Sequence, residues 1–165
     1  MEKMKIYLDT NTILDFFINQ ARALKKGEKV LMPEKTKFFI DNLDKLEFIA
    51  SFLTKTEVMR ELVAGHGIEK DNVEEFWKDF MNLLRCEYIS AFHFDEEVVS
   101  IAGRMKLKVR TLVNFFHLFV ARSKNAYFIT GDKDMIEKVT ENKVYDRILS
   151  YIELRNLIAS FSQDS

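Results

Sequence analysis

Short apolar runs alternate with longer stretches of helical spacing along almost the whole chain. This alternation limits the possible folds more than any other feature. The runs are Lys5–Asp9, Phe48–Leu53, Tyr88–Phe92, Ala126–Thr130 and Val144–Tyr151. Between them, helical spacing covers 11–19, 38–46, 54–64, 71–85 and 96–106, and a further helix opens at Thr111. Strands that alternate with helices form βαβ units, whose helices cover both faces of a parallel sheet. The pattern therefore predicts a three-layer α/β/α sandwich with a central parallel sheet of four or five strands.

Local signals sharpen the boundaries. Gly65 and Gly67 stop the helix that follows Thr54. Asp95 caps the helix over 96–106, with Phe94 as a candidate hydrophobic staple. The segment "LVNFFHLFVARSK" is apolar on almost every side in its middle, which marks a helix packed between the sheet and other elements. Residues 20–37, "QARALKKGEKVLMPEKTK", hold the only Pro and several cations and read as a long exposed connection, partly helical.

With 165 residues, 47% of them hydrophobic and 15 of them Phe, the chain has enough material for one sizeable core. Five Gly and one Pro leave little for a linker, so a single domain over 1–165 is expected. One Cys excludes a disulfide framework and fits a reducing compartment. No apolar run is long enough to span a membrane, and no secretory signal is seen. The expected location is the cytoplasm, away from membranes. A net charge of −1 neither argues for nucleic acid nor against it, because a total hides local patches.

The chemistry begins at "IYLDTNTILDFF", where a buried strand runs straight into Asp9, Thr10 and Asn11. Glu57 lies just after the second strand, Asn114 lies in the buried helix, and Asp132 and Asp134 follow "FITG". Singly, each has a local explanation. Asp9 or Asn11 suits a helix N-cap, Thr54 and Glu57 fit a capping box, and Asp132 suits the cap of a helix starting near Lys133. Together they suggest more. Asp9 and Asp132 both follow strands, so a parallel sheet puts them at the same edge, with Glu57 one short turn past it. Clustered carboxylates repel one another unless a cation sits among them. Oxygen ligands favour Mg²⁺ or Mn²⁺. The three His, at 66, 93 and 117, lack zinc spacing.

"IYLDTNTILDFF", then "FIASFLTKTEVMREL", then "NFFHLFVARSKNAYFITGDKDM" resemble, in this order, the PIN-domain ribonucleases, VapC-like toxins included. The resemblance implies a metal-dependent endoribonuclease that leaves a 5′-phosphate, with RNA as substrate, often a cognate antitoxin, and homodimerisation. It assigns metal-holding roles to Asp9, Glu57 and Asp132, with Thr130 alongside; Glu61, one turn past Glu57, is the weaker choice. One position departs. The family has D-x-x-H where this chain has Asn114 before His117. Asn114 keeps a carbonyl oxygen for a metal or a water but carries no charge, so it is an auxiliary ligand that weakens a second metal more than the first.

Asn11 is a candidate auxiliary group, and Asp15 and Asp134 read equally as site-edge acids or as ordinary helix-surface charges. His117 reads as a core residue with one hydrogen bond. Arg104, Lys106, Lys108 and Arg110, with the cations of 22–37, are available for phosphates, though a solvated face is the commoner meaning of such runs. Two rival functions stand beside the nuclease. A haloacid-dehalogenase-like phosphatase shares the strand ending in Asp, but it needs D-x-D, and Asn11 stands at the second position. A catalytically silent PIN fold that binds RNA or protein is favoured by Asn114.

Overall fold

The computed structural model describes residues 2–163, without the side chains of Val109 and Arg110. Arg110, one of the candidate phosphate contacts, therefore falls outside the described side chains. Five strands form one parallel sheet: β1 (Met4–Leu8), β2 (Leu46–Ser51), β3 (Glu87–Ile89), β4 (Tyr127–Ile129) and β5 (Ile148–Leu149). Their order is β3-β2-β1-β4-β5. The chain thus builds outward from β1 to β3, returns, and builds outward in the other direction through β4 and β5. That reversal puts a crevice outside the carboxyl ends of β1 and β4, the place where open α/β sheets receive ligands. Leu8 pairs with Ile129 across it, so Asp9 and Thr130 follow side by side.

Among the described residues eight helices surround the sheet: α1 (Thr10–Lys26), α2 (Glu34–Asp41), α3 (Phe52–Arg60), α4 (Lys70–Leu84), α5 (Glu96–Met105), α6 (Val109–Ser123), α7 (Lys133–Glu141) and α8 (Tyr151–Phe161). Period-2 alternation in the strands sorts the core into two layers. Ile6, Leu8, Leu46, Phe48 and Ile129 pack against α1 to α4 and α8. Tyr7, Ile49 and Phe128 face α5, α6 and α7. The expected three-layer α/β/α sandwich is what the chain forms, with five strands. Phe16, Phe17, Trp77 and Phe80 form an aromatic cluster with centroids 5.1–6.0 Å apart, which joins α1 to α4. Among the described residues no helix is long and apolar enough to cross a membrane.

Several boundaries differ from expectation, each for a local reason. Helix α1 continues through "QARALKK", all good helix formers, until Gly27 takes the left-handed conformation that ends it (φ 62). Helix α2 begins earlier than expected, directly behind Pro33. The last turn of α3 widens into a π-helical turn over Glu61–Gly65. Asp95 does cap α5, accepting from Val98 N. Phe94, however, is no staple: Val99, its partner position, is 61% exposed, and Phe94 packs on Phe92 and Phe116 instead. The run Val144–Tyr151 shrinks to a two-residue strand, after which Ser150 starts α8, a helix absent from the sequence reading.

Candidate functional site

Asp9 follows directly on β1 and occupies the N-cap position of α1, yet its side chain makes no capping bond. Its backbone is tied across the crevice, Asp9 N donating to Ile129 O at 2.9 Å. Asp9 is 1% exposed. Thr130 Oγ1 donates to Oδ2 at 2.9 Å, whereas Oδ1 is buried without a partner. An ionised carboxylate oxygen left bare in the interior is costly. Burial accordingly pushes the Asp9 carboxyl above the usual carboxylate range; the nearby Glu57 charge adds to this, and His117, the Thr130 hydroxyl and the Thr10 backbone N–H oppose it.

Thr130 also links Asp9 to Asp132: its Oγ1 accepts from Asp132 N at 3.1 Å. Asp132 caps α7, Oδ1 accepting from Met135 N at 3.1 Å, so the local explanation holds for one oxygen. Its other oxygen, Oδ2, accepts from Asn114 Nδ2 at 3.3 Å. Asn114 is therefore not a bystander in α6. It reaches across to the end of β4.

Glu57 lies inside α3, and the capping-box reading fails. Ser51, not Thr54, holds the N-cap position, without a side-chain bond. Thr54 turns instead toward Tyr7, and Glu57 toward Thr10 and His117. Thr10 Oγ1 bonds Glu57 Oε1 at 2.7 Å, and His117 Nε2 bonds the same oxygen. Burial pushes Glu57 upward, but the hydrogen bond and charge of His117, the Thr10 hydroxyl and the Arg60 charge outweigh it and hold the carboxyl below its ordinary value. Glu61 is exposed and faces His66 at 3.5 Å, which leaves Glu57 as the acid next to Asp9.

His117 itself is the residue that sequence reasoning underrated. It is wholly buried and bonded at both ring nitrogens, Nε2 to Glu57 and Nδ1 to Tyr7 Oη at 2.5 Å. Asn114 and His117 stand three residues apart on α6, so one helix face reaches Asp132 with the first and Glu57 with the second. Tyr7, also fully buried, completes the network through Ser51 Oγ at 2.6 Å and Thr54 Oγ1 at 3.3 Å. Burial pushes its hydroxyl well above the ordinary phenol range, so Tyr7 keeps its proton. The signal for His117 was its spacing from Asn114. For Tyr7 there was none, because its partners come from three other elements.

The edge groups fall outside this network. Asn11 and Asp15 are exposed on α1, where Asp15 Oδ1 accepts from Phe16 N at 2.9 Å. Asp134 pairs with Lys138 at 3.0 Å on the outer face of α7. Hydrogen bonds thus gather Asp9, Thr130, Asp132 and Asn114 into one chain and Glu57, Thr10, His117 and Tyr7 into another. Charge coupling between Asp9 and Glu57 joins the two.

The donor set is oxygen-rich, and the unpartnered Asp9 Oδ1 is what a hard divalent cation would satisfy. Asn114 and His117 hold Asp132 and Glu57 where they stand. Among the described residues, no three His, Cys, Asp or Glu side chains are drawn tightly enough around one point to hold an ion in these positions. A groove of about 540 Å³ between α3 and α4, lined by Met59, Val63 and Ala64 with Lys55, Arg60 and Lys70, includes none of the four candidate ligands. No protein-family model matches the chain, and no curated protein matches it significantly.

Proposed function

We propose that the chain is a metal-dependent endoribonuclease of the PIN-domain type, with Mg²⁺ or Mn²⁺ held by Asp9, Glu57 and Asp132 and with Asn114 as an auxiliary ligand. The observation that supports this best is the bare, buried Oδ1 of Asp9 at the crevice where the strand order reverses. A cation there would supply an activated water at neutral pH and a positive charge for the reacting phosphate. The chain's own groups prepare the place. Thr130 orients Asp9 through Oδ2, so the other oxygen is the one left for a ligand. Asp132 is anchored at the start of α7 by Met135 N, and Glu57 by Thr10 and His117. Asn114 keeps the Asp132 side chain turned inward without adding charge. The sequence resemblance adds RNA as substrate, an antitoxin protein as a partner, a homodimer as the assembly and the cytoplasm as the location.

The second reading, a silent PIN fold that binds RNA or protein, draws on a specific observation too. Asn114 and His117 already occupy one oxygen each of Asp132 and Glu57. One experiment separates the two: Mn²⁺ titration by calorimetry, with RNA cleavage assayed in Mn²⁺ and in chelator, for wild type and Asp9→Asn. The nuclease reading expects Mn²⁺ uptake and cleavage by wild type alone, with both variants of the protein folded. Equal cleavage by a folded Asp9→Asn protein refutes it, and no uptake by wild type supports the silent module.

A further inference from the structure

Three consecutive aliphatic side chains stand in water between α1 and α2: Val30 is 37% exposed, Leu31 73% and Met32 43%. The other large apolar side chains exposed among the described residues stand singly along the chain, which is ordinary for a protein surface; a contiguous run is not. The run is held in place. Asn19 Nδ2 donates to Leu31 O at 2.9 Å, so the loop lies back along α1. Asn19, Arg22 and Lys26 stand three and four residues apart and share that face of the helix. Loop and helix enclose a pocket of about 190 Å³, lined by Arg22, Lys26, Lys29, Glu28, Asn19 and Leu31 itself. Three cations therefore meet one acid there, on the flank of the aliphatic run. Over 22–37 as a whole, six Lys or Arg stand against two Glu, in a chain whose net charge is −1.

We infer that this loop is a contact for anionic lipid: the pocket of Arg22, Lys26 and Lys29 takes a phosphate headgroup, and Val30, Leu31 and Met32 enter the acyl boundary beside it. A lipid presents a negative phosphate and a hydrocarbon chain together, which is the pair of chemistries the loop offers. RNA matches the cations only, since its bases stack on aromatic side chains and none of these three is aromatic. A standard protein interface buries roughly 800 Å² on each partner, well beyond what three side chains supply. A bilayer sets no such minimum. Each cation near an anionic surface adds about a fivefold gain in affinity, and apolar area that enters the boundary adds to it. Among the described residues no helix crosses a membrane, so the contact is peripheral and reversible. The expectation of a place away from membranes rested on spanning segments, and a surface contact needs none. The inference does not depend on the metal reading, because the 17 residues of α1 put Asp9 about 25 Å away, at the other end of the helix.

The test is sedimentation of the full chain with phosphatidylcholine vesicles made with and without phosphatidylglycerol. Uptake by the anionic vesicles alone is expected, weakening as salt is raised. Arg22→Gln and Lys26→Gln should each weaken it roughly fivefold. Leu31→Ser should weaken it roughly tenfold. All three side chains are exposed, so circular dichroism should be unchanged. The one native Trp, Trp77, is buried, so a Leu31→Trp protein reports the loop tip, and its emission should shift to the blue on anionic vesicles. No uptake of anionic vesicles, or equal uptake of both kinds, overturns the proposal. So does a loss with the charge variants and none with Leu31→Ser, which describes a site for RNA or another polyanion. So does an unshifted Leu31→Trp emission on vesicles that carry the protein. Displacement by inorganic phosphate at equal ionic strength makes the pocket a site for free phosphate and overturns the lipid assignment.

Discussion

Replacing Asn114 by Asp exchanges a donor for an acceptor 3.3 Å from Asp132 Oδ2. The shape of the side chain is unchanged, so the effect is electrostatic. Two unit charges at that separation repel by ~5 kcal/mol at an effective dielectric near 20 and by ~1 kcal/mol in bulk water. Both side chains are half-buried, which places the cost between these limits, and the lost hydrogen bond adds ~1 kcal/mol. We expect Asn114→Asp to be destabilised by ~3 kcal/mol in chelator at neutral pH, a fall in Tm of roughly 6–12 °C for a chain of this length. The pH dependence has a definite sign. The introduced carboxyl faces a like charge, so its folded pKa is raised. The variant is then as stable as wild type at pH values below the ordinary carboxylate range and loses ground as pH rises through the raised value. A divalent cation closes this gap only as far as the variant binds it more tightly than wild type, since an ion at 100 times its Kd adds ~2.7 kcal/mol to whichever protein binds it. The assay is thermal unfolding in chelator and in Mn²⁺ between pH 4 and 8, with RNA cleavage measured alongside. Cleavage is expected to rise above wild type. Equal Tm values for variant and wild type in chelator at pH 7 would refute the reasoning, since Asp132 could not then face position 114.

Asp9→Asn should leave stability within ~1 kcal/mol of wild type by denaturant unfolding, because the side chain makes no capping bond that could be lost. Phe17→Ala should cost about 3–5 kcal/mol, since the ring is fully buried against Phe16, Trp77 and Phe80; a loss under ~1 kcal/mol in urea unfolding would contradict that packing. Burial pushes the Cys86 thiol from 9.0 up to about 12, so alkylation of the native protein at pH 8 should run roughly a thousandfold slower than that of the unfolded chain. Because that folded pKa is raised, stability should also decline as pH climbs from 9 toward 12, and Cys86→Ala should remove this part of the decline.

The sheet was legible because buried parallel strands are short continuous apolar runs, and "FIASFL" and "AYFIT" sit between clear helix signals. Val144–Tyr151 misled for the same reason: an apolar run does not say which of its residues pair. Its correction was written inside the run itself, where Ser150 caps α8, its Oγ accepting from Glu153 N and donating to the Glu153 carboxylate. Asp9, Thr130 and Asp132 could be placed at one edge because strand ends in a parallel sheet share an edge. The partners of Glu57 were not legible. A T-x-x-E spacing is identical whether Glu reaches back to its own helix or across to Thr10 and His117, and only packing decides between them. Asp134 shows the reverse case: adjacency to Asp132 in sequence put it beside the site, but helix geometry turned it to Lys138, four residues on.

The reversal of strand order at β1 also divides the chain's labour in time. Everything through β3 can pair before β4 has been synthesised, and that first part holds Asp9, Thr10 and Glu57. His117, Asn114, Thr130 and Asp132 all arrive after the connection at 90–95. During translation a growing chain therefore exposes an acidic half-site in which Glu57 has Thr10 but not yet His117 as a partner, until the second half docks along β1. A chain severed in that connection would yield two fragments, neither with the whole cluster of acidic side chains. Their reassembly along the β1–β4 seam would restore the hydrogen-bonded cluster and the sheet in a single step.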